Sequence, residues 1–553
     1  MKRIIALFLL LTFISTFVFA QDRTASFDAN KMRERVKRLS ADDFEGRGPG
    51  TEGGKLAAQY IADQLKTSGV KPANKGTYFQ NVKLVGVKAN PNTVLRVGKM
   101  GDATGKVYKF GDDFVATTGA QTANIAVGAE LVFVGYGIDA PLYNWNDYKG
   151  PADDYKGKVL IMLVNDPPAT DAEPNLFGAK ALTYYGRWTY KYEEAARRGA
   201  AGVILIHTTE SAGYGWNVVR TSNGNWRYEI ARTATDKTPF LRFKSWVTNE
   251  TAIGIMTTAG LDLETLKTKA KSRDFLPVKT GLSVKLDLQS ETKTFDSPNV
   301  VGMVEGSDAK LKNEYVVFSG HWDHLGIGEP DANGDKIYNG AYDNASGVTA
   351  IIGIAEVLAK MPKKERPKRS FLFLFPTAEE QGLLGAEYYS HHPLVPLAKT
   401  AADVNLDGVN FFGKVSDFVA LGADRSSIID QINEAATERN FTIRGDKNPE
   451  LGYFFRSDHF PFAKVGVPSV NFQHGDTFLQ PLSKEAEGFF KDYVAKYYHQ
   501  TSDEYHDWWD TAAMVQEAEL ALAIGTKLAN LTVLPRYKDT DEFSAADKKR
   551  FLR

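Results

Sequence analysis

The stretch Glu314-Tyr315-Val316-Val317-Phe318-Ser319-Gly320-His321-Trp322-Asp323 decides how the C-terminal half of this 553-residue chain is read. Glu314 to Ser319 is an apolar run of strand length, and a glycine, a histidine and an acid follow close behind it. An apolar run without clean alternation predicts a strand buried on both faces, as in sheets covered by helices. The same pattern recurs at Ser370 to Phe375, Ala402 to Leu406 and Pro468 to Phe472. Helices are predicted near Ser346 to Lys360, Leu383 to Ser390 and Ser427 to Glu438, between these strands. The expected fold class is therefore α/β: a mixed, mostly parallel sheet flanked by helices, over residues 282–535. A last helix, about Thr511 to Leu534, carries Met514, Ala518, Ala521, Gly525 and Leu528 on one face, and Pro535 stops it. Residues 536–553 read as a charged, loosely held tail.

Moving toward the N-terminus, the texture changes. From about Asn92 to Lys279 the chain is β-rich, with the runs Glu130 to Val134, Lys158 to Val164 and Ala201 to Ile206, and an amphipathic helix near Tyr190 to Arg198. This region, 92–281, is expected to be a separate module inserted into the main domain. Residues 21–91 are then the first part of that domain. They hold the loop Asp42 to Gly50, a helix capped by Thr51 with Ala57, Ile61 and Leu65 on one face, and a strand near Tyr78 to Val87. A length of 553 residues is more than one core usually serves, which agrees with such a division.

Lys2 and Arg3 precede an apolar run from Ile4 to Ala20 that ends on Val18-Phe19-Ala20. The pattern predicts a secretory signal peptide over residues 1–20 and an exported protein, periplasmic or secreted. No later segment is long and apolar enough to predict a membrane span. The formal net charge of −1 leaves no basic footprint for nucleic acid. There is no cysteine, so an exported chain must stand without disulfides, and any metal must be held by His, Asp and Glu.

All but His207 of the nine histidines lie after residue 320, several of them beside acids at predicted strand ends. His321 and Asp323 follow the first strand. Asp343 sits in the turn Asn339-Gly340-Ala341-Tyr342-Asp343-Asn344-Ala345-Ser346-Gly347. Glu379-Glu380 follow the second strand, Asp407 the third, and His499 stands in Tyr498-His499-Gln500-Thr501-Ser502-Asp503. Ligand sites in open α/β sheets form beyond the carboxyl ends of the strands. Two zinc ions about 3.5–4 Å apart need a shared carboxylate and ligands on one side. A further carboxylate left free of metal serves as general base, and adjacent glutamates allow that division of labour.

These segments, in this order and spacing, resemble the co-catalytic di-zinc aminopeptidases of metallopeptidase family twenty-eight, with their zinc aminopeptidase/phosphorylase-hydrolase-like fold. Gly46-Arg47-Gly48-Pro49-Gly50-Thr51-Glu52-Gly53 is similar to that family's N-terminal motif, and no predicted ligand departs from its pattern. The inserted region resembles a protease-associated (PA) domain through Gly135-Tyr136-Gly137, Lys156-Gly157-Lys158-Val159 and Gly199-Ala200-Ala201-Gly202-Val203. The resemblance implies two Zn2+ ions, with other divalent metals compatible. Asp343 bridges them, His321 and Asp407 complete one, and Glu380 and His499 complete the other. It makes Glu379 the general base and Asp323 a supporting carboxylate. The implied activity is hydrolysis of the N-terminal peptide bond of peptides with a free N-terminus.

The motif Phe455-Arg456-Ser457-Asp458-His459 with Tyr453 looks like a substrate-side loop, so Tyr453, Arg456 and Asp458 are candidate substrate contacts; an Arg456–Asp458 structural ion pair is the competing expectation. His474 is a candidate for lining the cleft. His506 rivals His499, whose context favours it. His324 is expected to be a loop residue, and His391 and His392 to face solvent. Competing activities are a carboxypeptidase for acidic C-terminal residues, which wants a basic pocket, a glutaminyl cyclase, and a binding protein that has lost catalysis.

Overall fold

The structure is a computed structural model that describes residues 27–102 and 104–552. The expected signal peptide, residues 1–20, lies outside the described residues.

The main sheet is built as the apolar runs predict. Strands Ser370–Phe375, Tyr315–Ser319, Thr400–Leu406 and Ser469–His474 lie side by side in that order, each parallel to the next. Asp417–Leu421 then pairs antiparallel with Ser469–His474 and parallel with Thr442–Arg444. On the other side Val278–Val304 runs antiparallel to Ser370–Phe375, and Phe79–Ala89 antiparallel to Val278–Val304. The sheet is thus mixed and mostly parallel at its centre. Helix Gly347–Lys360 is buried along nearly all its length, as its apolar composition requires. Helix Glu52–Thr67 starts at Thr51, whose hydroxyl accepts from the Gly54 amide at 3.0 Å.

A second sheet gathers Val94–Lys99, Lys106–Lys109, Phe114–Thr118, Asn124–Phe133, Val159–Leu163, Gly202–His207 and Phe243–Thr248. It has hydrophobic cores of its own, around Phe133, Ile161 and Phe243 on one face and Leu160, Met162 and Leu205 on the other. The two sheets share one strand. The first part of Val278–Val304 pairs with Val94–Lys99 and Asn124–Phe133, and its later part with Phe79–Ala89. The expected boundary between residues 281 and 282 falls inside this strand, at an irregularity between Lys279 and Ser283.

Two expectations change. The last long helix, Thr511–Asn530, ends one turn short of Leu534. The Arg369 amide and guanidinium take the carbonyls of Ala529 and Leu531, and the Asn530 side chain accepts from the Lys368 amide, so the chain turns away before Pro535 is reached. The tail is not loose. Tyr537 and Phe543 are buried, Ser544–Arg550 is a helix, and the buried Arg550 donates to Asp547 and to the carbonyls of Leu397, Thr400 and Pro535. The charges of Asp547 and Arg550 are paired inside the protein.

Gly525 brings the Thr511–Asn530 helix against the sheet. A Cβ there would stand 2.5 Å from Cζ of Phe318, whose ring stacks on Phe371 and Phe373. Overpacking of a close-packed core costs about 1–3 kcal/mol. Gly525→Ala is expected to lower the unfolding midpoint in denaturant accordingly; an unchanged midpoint would mean that the Phe318 ring moves aside freely.

Candidate metal centre

His321 lies just past Tyr315–Ser319, Glu379 and Glu380 past Ser370–Phe375, and Asp407 past Thr400–Leu406. Their side chains converge because neighbouring parallel strands end at the same edge of the sheet. Asp343 comes from the turn Ala341–Ser346 ahead of the buried helix, and His499 from the loop after Tyr493–Tyr497. Nδ1 of His321 donates to the backbone carbonyl of Asp323 at 3.1 Å. That bond turns Nε2 to the carboxylates, 3.2 Å from Asp343 Oδ1, 3.3 Å from Asp407 Oδ1 and 4.0 Å from Glu379 Oε2. Asp343 presents its other oxygen to the opposite side, where Oδ2 lies 3.4 Å from His499 Nε2. His499 Nε2 is in turn 2.9 Å from Glu380 Oε2.

This donor set fits a divalent metal. Two donors on a tetrahedral zinc with bonds of about 2.0–2.1 Å stand about 3.3 Å apart. His321 with Asp343 and Asp407 shows that spacing, and the distances around His499 bracket it. Three groups of potential ligands are compact enough for an ion: His321, Asp343 and Asp407; His324, Asp343 and Glu380; and His321, Glu379 and Glu380. The groups overlap at Asp343 and at Glu380, so two neighbouring positions have carboxylates in common.

The electrostatics point the same way. Burial disfavours a charged imidazole at His321, yet Glu379, Asp407 and Asp343 outweigh it and hold its pKa well above the ordinary value. Burial is likewise overcome at His499, which Glu380 and Asp343 lift to about 10. Glu379 is held well above the usual carboxylate range by burial, with Glu380, Asp407 and Asp458 adding to it. Burial pushes Asp323 to about 7 and Asp503 to about 6. The His321 and His499 shifts report negative charge gathered around them, and those of Glu379, Asp323 and Asp503 report burial first, with neighbouring carboxylates adding to it.

The other expected residues separate into layers. Asp323 is fully buried, and its Oδ1 accepts from the Glu379 amide at 3.1 Å while standing 3.9 Å from His321 Nδ1. Its carboxylate therefore steadies the Glu379 backbone. Tyr453 and Arg456 are exposed at the rim, with Arg456 donating to the Leu451 carbonyl and lying over the Tyr453 ring. No Arg456–Asp458 ion pair forms among the described residues, because Asp458 is fully buried, behind the ligands. Its nearest charges are those of the centre, His321, Asp407, Asp323 and Glu380. His474 packs behind the Asp343 turn, Nε2 3.1 Å from the Tyr342 hydroxyl. Neither His499 nor His506 joins one of the three compact groups, but His499 stands beside Asp343 and Glu380 whereas His506 stacks on Trp508, and His391 and His392 are exposed.

Sequence reasoning missed three residues. His324, expected in a loop, is fully buried with Nδ1 2.6 Å from Glu380 Oε1. Asp503, in the same segment as His499, accepts from the amides of Tyr342 at 2.9 Å and Asp343 at 3.1 Å and so shapes the turn that presents Asp343. Ser457 donates to Asp407 Oδ2 at 2.7 Å. The signal for the last two was their place within quoted motifs; no spacing rule marked their partners.

Residues 299–524 match the family model described as peptidase family M28. The chain is 28% identical over 197 residues to aminopeptidase YwaD of Bacillus subtilis (strain 168), covering 35% of this chain and 38% of that protein. It is 26% identical over 270 residues to a probable leucine aminopeptidase 2 of Aspergillus oryzae, covering 47% and 50%. The matches thus span half or less of these relatives' length. Among solved structures, the aminopeptidase from Aneurinibacillus sp. strain AM-1 is similar in fold, with a TM-score of 0.50 and 19% identity over 94% of this chain and 96% of that one.

The candidate centre is braced from the N-terminal segment. Arg47, only 1% exposed, donates to the carbonyls of Leu39, Trp322, Asn339 and Gly340. Burial lowers its pKa to about 10, which still leaves it charged at neutral pH. Arg47→Met would strand those carbonyls and remove a buried cation from beside Asp503, Asp343 and Asp323. A loss of about 3–5 kcal/mol is expected in equilibrium unfolding, typical for breaking a buried charge network. A loss under 1 kcal/mol would show that other groups take over.

Proposed function

We propose that this chain is an exported zinc aminopeptidase that hydrolyses the N-terminal peptide bond of peptides, with two zinc ions sharing Asp343. The observation that carries the reading is Asp343 standing between two imidazoles, one oxygen toward His321 and the other toward His499. Zinc held by such residues supplies Lewis acidity, polarising a carbonyl and lowering the pKa of water. His321 and Asp407 would hold one ion and His499 and Glu380 the other.

Glu379 is the general base. Its backbone is fixed by Asp323 and its carboxylate makes no short contact, Oε2 lying 4.0 Å from His321. Its raised proton affinity suits it to take a proton from the attacking water and pass it to the leaving amine. The surplus of carboxylates favours a substrate that brings a positive α-ammonium group. Tyr453 and Arg456 at the rim are placed to meet the rest of the peptide. The module over 92–281, read as protease-associated, flanks access: a cavity of about 1020 Å³ between it and the main sheet is lined by Arg187 and Lys244 on one side and Gly382, Leu383 and Phe455 on the other. Export rests on the signal-like residues 2–20.

Purified protein should release the first residue from free aminoacyl and peptide substrates, and lose this on chelation. Glu379→Gln should keep its zinc and lose about 10²–10⁴-fold in kcat. Cleavage of N-acetylated substrates would replace the aminopeptidase reading with a carboxypeptidase one, and failure to bind zinc would end the metal assignment.

A further inference from the structure

Glu380 stands between two histidines, and it meets them with different oxygens. Oε2 faces His499 Nε2 at 2.9 Å and Oε1 faces His324 Nδ1 at 2.6 Å. The two contacts differ in kind. The His324 distance is that of a short charge-assisted hydrogen bond. It is well under the separation of about 3.3 Å between two donors on one zinc, which His321 shows toward Asp343 and Asp407. Oε1 is therefore engaged in a hydrogen bond, and Oε2 is the oxygen turned to the shared centre.

His324 has little freedom to do anything else. It is fully buried. Its amide donates to the Arg47 carbonyl at 3.4 Å, on the same residue whose guanidinium holds the Gly340 carbonyl. Its ring lies so close to Gly340 that a Cβ there would be 2.5 Å from the imidazole Cγ. Gly340 also has φ +56°, so the contact and the backbone both call for glycine. On its other side the ring meets His499 edge-to-face at 5.7 Å between centroids. Nε2 has no hydrogen-bond partner among the described residues, so the Glu380 bond is the one polar contact of this buried ring.

We propose that His324 is a positioning residue for the second metal: by donating from Nδ1 to Glu380 Oε1 it leaves Oε2 alone to bind the ion, which keeps Glu380 monodentate and aimed at the Asp343–His499 side. The inference rests on the reading of a zinc pair sharing Asp343. Partners of ligating groups typically govern metal affinity about 10–100-fold. The Arg47, Gly340 and His324 contacts then form one device: the N-terminal motif fixes a turn, the turn fixes an imidazole, and the imidazole fixes a ligand.

The test is zinc binding by the full-length protein, measured with Zn2+ alone by chelator competition and by metal content. Wild type should bind two ions. His324→Phe, which keeps a flat ring and removes the donor, should bind the first with unchanged affinity and the second about 10–100-fold more weakly. His324→Gln, which can still donate to Oε1, should recover most of the loss. Two tightly bound ions in His324→Phe would overturn the proposal, since a packing role does not touch the metal. Loss in His324→Gln as large as in His324→Phe would also overturn it, as expected for a direct ligand. X-ray absorption of zinc-loaded wild type needs no variant to fold: two imidazoles per zinc pair support positioning, and three overturn it. A wild type that binds no zinc would instead strike the underlying reading of the site.

Discussion

Seven carboxylates, those of Asp323, Asp343, Glu379, Glu380, Asp407, Asp458 and Asp503, are carried to one end of the main sheet, and most of them are buried. Against them stand His321, His324, His499 and Arg47. Charge removed from water is tolerated only when it is paired or bound to a metal. The rest of the centre follows from that constraint. His321 and His499 are driven toward their protonated forms by the carboxylates around them, and Glu379 and Asp323 toward theirs by burial first and neighbouring carboxylates second. A divalent cation held by these groups would relieve this crowding more completely, without spending the imidazole lone pairs on protons. Metal binding and the stability of this end of the sheet are thereby coupled.

Crowded like charges also push each other apart, so the backbone must be held against them. The brace comes from far away in sequence. Arg47 ties the carbonyls of Trp322, Asn339 and Gly340 to that of Leu39, and Asp503 ties the amides of Tyr342 and Asp343. Asn339 adds a bond back to Ser40. The loop before helix Glu52–Thr67 is therefore part of the centre although it supplies no ligand. A single cation reading four carbonyls explains why the segment around Gly46 to Gly53 carries so specific a pattern.

Much of this was legible in the chain. The four parallel strands and the helices between them stood out because a strand buried on both faces is apolar at every position and needs no tertiary context to be seen. The residues at the strand ends stood out for the converse reason: His321, Glu379, Glu380 and Asp407 are polar groups placed directly after apolar runs. What could not be read were contacts between segments remote in sequence. His324 sits one residue from a recognised motif and looks like loop, since only the folded chain brings Glu380 against it. Arg456 and Asp458, neighbours in sequence, were candidates for a pair, but two residues apart across a tight turn they point one to solvent and one to the interior. The tail misled by composition: Arg550 and Asp547 are charged yet buried, because they satisfy each other and three carbonyls. The boundary between 281 and 282 cut the strand Val278–Val304 at its irregularity between Lys279 and Ser283, and its polar, exposed middle, Gln289 to Asp296, does not look like sheet interior.

That polar middle explains how the second sheet is attached. Phe79–Ala89 enters the module and residues 290–300 leave it, and the two are hydrogen-bonded to each other along their whole length. Arg227–Ile230 adds a third strand beside them. The module is joined to the catalytic sheet by a ribbon, with its edge groups satisfied, where two free linkers would have let it swing. Further contacts flank the ribbon: the Leu182 amide donates to the Pro449 carbonyl, and the Tyr184 amide to Glu542 in the docked tail. Relative motion of the two units would have to break these bonds together. Arg187 and Leu383 face each other across the cavity between the two units, with these bonds beside it.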